Sequence, residues 1–70
     1  MKKRSVTLAG HRTSFSLEDA FWQELQSIAA RKNQSCASLL LHIDKTRDAD
    51  TNLSSAIRLF VLQSLKDATQ

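Results

Sequence analysis

Cysteine, glycine, proline and tyrosine are nearly missing from this chain. Its 70 residues hold one cysteine, one glycine, no proline and no tyrosine. A lone Cys36 excludes an internal disulfide, and with His11 and His42 far apart it offers no metal-ligand spacing. No apolar run approaches the roughly 18 residues needed to span a bilayer. The opening "MKKRSVTLAGHR" is basic but lacks the apolar stretch of a secretory signal. A single free thiol suits a reducing compartment, so the expected location is cytoplasmic, with no membrane partner. Glycine-rich phosphate loops, a Ser-His-Asp order and paired carboxylates over a pocket are all missing, so the chain is read as a non-enzyme without cofactor or metal. No internal repeat and no low-complexity tract stand out. A chain this short buries a modest core, worth roughly 3–5 kcal/mol, and association is the remedy still open to it.

What is present is unevenly charged. The net charge is +3, and four of the ten basic residues (Lys2, Lys3, Arg4 and Arg12) fall in the first twelve positions, with none of the seven acidic ones. A basic arm on a near-neutral body points to a polyanion. Beyond it, "HRTSFSLEDAFWQEL" changes period. Arg12, Ser14 and Ser16 alternate with Thr13, Phe15 and Leu17 as in a half-buried strand, and from Glu18 the apolar spacing is helical. Helix one is predicted over Glu18–Lys32, with Phe21, Leu25, Ile28, Ala29 and Trp22 on its apolar face and acidic and basic ends that complement the dipole. Asn33 can take a left-handed C-terminal turn. Ser35 caps a second helix over residues 36–46, and Thr51 or Asn52 a third, "LSSAIRLFVLQSLKD". That third helix is apolar on more sides than one short chain can cover.

An isolated strand seeks a partner for its backbone groups. "SVTL" (Ser5–Leu8) could fold back around Gly10 as a hairpin, or the same strand of a second copy could pair antiparallel across a two-fold axis. The second option explains more, because it also covers the third helix. Thr13, Phe15 and Leu17 would then enter a shared dimer core with Leu39, Ile57, Phe60 and Val61, leaving Arg12, Ser14 and Ser16 outward.

Strand, helix, short turn and Ser-capped helix, carried by "RTSFSLEDAFWQELQSIAARKNQSCASLLLHI", resemble the ribbon-helix-helix pattern of the Arc and Met repressors. One departure is that "DKTRDADT" divides what is a single second helix in the simplest members. The resemblance implies a mainly α domain over residues 12–70 with an extra C-terminal helix, preceded by a basic arm at 1–11. It implies an intertwined homodimer whose two-stranded ribbon enters the DNA major groove. Double-stranded DNA and a second copy are the partners implied, with pairing of dimers on DNA left open. The role implied is bacterial transcriptional repression, and the alternative is an antitoxin-like module that holds a protein partner. Carried over residue by residue, Arg12, Ser14 and Ser16 match the base-reading positions. Ser35 and the amides of Cys36 and Ala37 match the helix start that grips a phosphate. Lys2, Lys3 and Arg4 are assigned to the DNA backbone on charge alone.

Several of these residues have plainer roles. Ser16 could instead cap the first helix in a capping box with Asp19, although the alternation through Leu17 argues for the strand. Ser35 is a cap whether or not it meets phosphate. Cys36 reads as a small core residue, His11 as exposed and idle, His42 as a partly buried helix residue, and Trp22 as core or dimer rim.

Overall fold

The structure, a computed structural model, describes residues 1–68. Strands β1 (Lys2–Leu8) and β2 (His11–Leu17) precede three helices, α1 (Asp19–Arg31), α2 (Cys36–Thr46) and α3 (Leu53–Ala68). The number of strands is where expectation and structure part. Within the chain β1 pairs antiparallel along one edge of β2, from Lys2 opposite Leu17 to Leu8 opposite His11. Each chain therefore holds two strands rather than one, joined by the fold-back around Gly10. The turn explains why. Ala9 (φ 52°) and Gly10 (φ 82°) both have positive φ, the requirement of a two-residue type I′ hairpin whose twist matches that of its strands. Glycine meets this at no steric cost; Ala9 adopts it with a Cβ that disfavours it.

The helices lie close to their sequence signals. α2 begins and ends where expected, and its Ser35 cap accepts a 3.0 Å hydrogen bond from the Ser38 amide. Asn33 is left-handed (φ 60°) and ends the turn after α1. Asn52 rather than Thr51 caps α3, accepting from the Ser55 amide at 2.8 Å. Glu18 sits at the N-cap of α1 with no side-chain cap bond, so Ser16 stays in the strand instead of closing a capping box.

One core joins the inner face of the hairpin to all three helices. Leu8, Phe15 and Leu17 from the strands meet Leu25, Ile28 and Ala29 of α1, Leu39, Leu40 and Ile43 of α2, and Leu53, Ala56, Ile57 and Val61 of α3. Fully burying a leucine or isoleucine is worth about 1.5–3 kcal/mol. Phe15, Leu17, Leu39, Ile57 and Val61, expected in a core shared with a second copy, are buried within the single chain, whereas Thr13 and Phe60 are half-buried. The far side of α3 is not covered: Leu59 is 61% exposed, Leu62 50% and Leu65 39%.

Candidate nucleic-acid interface

The alternation of a strand sorts the hairpin into two chemically distinct faces. Inward go Leu8, Phe15 and Leu17, with Val6 and Thr13 partly covered. Outward go Lys3, Ser5 and Thr7 from β1 and Arg12, Ser14 and Ser16 from β2, all six exposed. In register, Lys3 lies opposite Ser16, Ser5 opposite Ser14, and Thr7 opposite Arg12. This outer face holds two cations, four hydroxyls and no carboxylate. Nothing apolar interrupts it.

The three cations of the opening do not act as one cluster, because alternation divides them. Lys3 points outward. Arg4 turns toward the core side, where its guanidinium lies 4.2 Å from the centroid of the Trp22 ring and 3.6 Å from the Asp19 carboxylate. Its Nε is buried without a hydrogen-bond partner. Trp22 in turn packs 6.2 Å from the Phe15 ring, a tilted aromatic pair beneath the sheet. Lys2, at the end of the strand, is exposed.

A second candidate surface is the start of α2. The amides of Cys36 and Ala37 stand in a first turn that has no intrahelical acceptor for them, and Ser35 and Ala37 are exposed while Cys36 is half-buried. Burial pushes the Cys36 thiol upward, against a smaller opposing pull from Arg4. The thiol is thus protonated at neutral pH, and what Cys36 offers an anion is its backbone N–H. His11 is exposed, as expected. His42 is exposed too, not partly buried, because it lies at the edge of the buried face of α2, beside Leu39, in an open groove that Phe60 also lines.

The hairpin is tied to α3 at its base. Arg58 donates through Nε to Glu18 Oε1 at 2.9 Å and through a terminal nitrogen to Oε2 at 3.3 Å. This pair holds the Glu18 carboxyl below its ordinary pKa, the hydrogen bond from Arg58 being the main cause. It anchors the strand-to-helix junction without entering the outer face.

Ser5 and Thr7 are the residues of this face that sequence reading missed. The signal was the alternation of "KRSVTL", masked because Arg4 sits where an apolar residue would announce a strand. Among the described residues no group of three metal-ligating side chains gathers, and no helix is long and apolar enough to cross a membrane. A family model described as a ribbon-helix-helix domain matches residues 1–65. No curated protein and no solved structure matches the chain.

Proposed function

We infer the function from one premise: the chain belongs to the ribbon-helix-helix domain family, whose members are generally DNA-binding regulators. On that premise the outer face of the hairpin is the DNA-reading surface, and the protein is a sequence-specific binder of double-stranded DNA that acts as a transcriptional repressor. The observation that carries this reading is the six-residue outer face, exposed, polar and free of carboxylates. The major groove admits a two-stranded ribbon and displays a distinct donor and acceptor pattern for each base pair. Arg12 is suited to bidentate pairing with guanine, and Ser14 and Ser16 can donate or accept. Ser35 with the amides of Cys36 and Ala37 grips a phosphate, which positions the ribbon without reading sequence.

A second copy of the chain belongs to this reading. Leu59, Leu62 and Leu65 fall on one exposed stripe of α3, and a groove of about 360 Å³ beside it is lined by Ile43, Leu59 and Phe60 among others. Exposed apolar surface of this kind marks an interaction site. A homodimer through α3 would present two hairpins to one duplex.

The test is titration of the purified chain against its own promoter region and a random duplex across a salt series. Each phosphate contact should contribute about 0.9 to the negative log–log slope, and the promoter should bind more tightly than random DNA at every salt concentration. Equal affinity for both duplexes at all salts would remove the claim of sequence reading, and no retention at low salt would remove DNA as the partner.

A further inference from the structure

One guanidinium gathers the open end of the hairpin. Lys2 pairs with Leu17, so Met1 and Glu18 are the next residues beyond the paired strands. Arg58 of α3 reaches both. It donates through Nε and a terminal nitrogen to the two Glu18 oxygens, at 2.9 and 3.3 Å, and through that terminal nitrogen to Met1 Sδ at 3.6 Å. The centre of the same guanidinium lies 6.0 Å from the centroid of the Phe21 ring, in the first turn of α1. The ends of both strands, the start of α1 and the first half of α3 therefore meet at one side chain. The Glu18 carboxyl is held below its ordinary pKa by Arg58, so both partners are charged at neutral pH.

This tie is more geometric than energetic. Both side chains are half-buried, and a partly exposed pair adds only modestly to stability. A two-point guanidinium–carboxylate fork, by contrast, fixes orientation as well as distance. The apolar inner face of the hairpin is held to the helices by a force with no direction of its own. The place of Arg58 on α3 matters as much. Arg58, Leu62 and Leu65 stand at i, i+4 and i+7, one row of the helix surface, so the uncovered apolar stripe runs up to the residue that grips the hairpin. We infer that Arg58 is a positioning residue for DNA binding: it touches no DNA, and through Glu18 it sets the angle at which the hairpin leaves α3. This rests on the DNA reading and the second copy proposed above. Two copies joined through α3 bring their hairpins to one duplex together only if each hairpin leaves its helix at the same fixed angle. A tilt at one junction recurs at the other, so a small error per chain is doubled across the pair.

The experiment titrates the full chain, Arg58→Ala, Glu18→Ala, the double variant and Arg58→Lys against the promoter duplex and a random one. One salt concentration is used, at a temperature where circular dichroism shows each protein folded. Each alanine variant should weaken promoter binding about 3–30-fold, the range of coupled neighbours, and random binding much less. The double variant should be no weaker than the weaker single one, because both changes remove the same fork. Charge supplies the control. Arg58→Ala lowers the net charge by one and Glu18→Ala raises it by one, so a bulk charge effect would move the two affinities in opposite directions. Arg58→Lys keeps the charge and loses the fork; it should still weaken promoter binding, and it carries the test if an alanine variant does not fold. Opposite shifts, additive losses, or folded variants that bind the promoter as the parent does would overturn the inference and leave the DNA reading intact. If the parent itself binds promoter and random duplexes equally, the DNA reading falls and this inference with it.

Discussion

Replacing Arg4 with alanine should cost the fold more than it costs DNA binding, although Arg4 sits in the most basic stretch of the chain. Its guanidinium is 4.2 Å from the Trp22 centroid, and its side chain is only 26% exposed. A partly desolvated cation–π contact of this kind is worth about 1–2 kcal/mol. The ion pair with Asp19 is longer, at 3.6 Å, and Asp19 is 62% exposed, so screening holds it to about 0–0.5 kcal/mol. The aliphatic stem also covers apolar surface, which alanine would leave open. Against these stands the buried, unpartnered Nε, whose removal returns about 1 kcal/mol. The net loss is about 1–2 kcal/mol, and at about 4–8 °C per kcal/mol for a domain of this size it lowers Tm by about 5–15 °C.

The assay is direct because Trp22 is the single tryptophan. Thermal melts followed by its fluorescence and by circular dichroism should both shift, and native emission should change as the cation leaves the ring. Arg4→Lys should retain part of the stability, and Asp19→Asn should cost about 0.5 kcal/mol or less. In DNA titrations Arg4→Ala should leave the salt slope unchanged, whereas Lys3→Ala changes binding. An Arg4→Ala protein that melts like the parent yet shows a slope reduced by about 0.9 would refute the placement of Arg4 beneath the sheet.

Three further outcomes are expected. Ala9→Asn gives the turn the Asn-Gly pair that type I′ geometry favours, and should raise stability by about 0.5–1 kcal/mol in denaturant melts; a loss would mean the turn has another conformation. Glu18 is held below its ordinary pKa in the folded chain, so the native state binds fewer protons there than the unfolded one. Its contribution is present above about pH 4.5 and disappears as pH falls through the lowered value, so the Tm gap between the parent and Glu18→Gln should close on acidification; a gap independent of pH would show that Arg58 does not set that carboxyl. Leu62→Lys on the α3 stripe should keep the helical circular dichroism while converting a dimer to a monomer in sedimentation at micromolar concentration; a parent that sediments as a monomer would remove the second copy from that face.

The helices were legible because each has local punctuation that tertiary packing did not override. Ser35 and Asn52 cap where capping chemistry says they should, Asn33 takes the left-handed turn, and the apolar stripes of α1 and α2 become their buried faces. The β1 strand was the harder element. Of its four inward residues only Val6 and Leu8 are apolar; Lys2 and Arg4 hold the other two places, so the period-two signal covered four residues where the strand has seven. Tryptophan makes the difference, since its ring attracts the inward cation. Trp22 lies eighteen residues away in sequence, and no local pattern links it to Arg4.

The same cause governs what was legible of the candidate interface. β2 announced its outer face because Phe15 and Leu17 are unambiguous inward residues, and Ser16 joined that face because Glu18, not Ser16, occupies the N-cap of α1. β1 announced only charge, and charge alone does not say which way a side chain points. Once the register is known, three adjacent cations read as an outward Lys3 between Lys2 and an inward Arg4, and two hydroxyl residues with no individual signal join the outer face. This changes what deletion of the opening residues would measure. Removing Lys2–Arg4 would take away strand pairing, the Trp22 contact and the outer cation together, so a loss of DNA binding would not separate fold from contact. Single substitutions at Lys3 and Arg4, on opposite faces of one strand, do separate them, because alternation has assigned one residue to the outer face and the other to the core side.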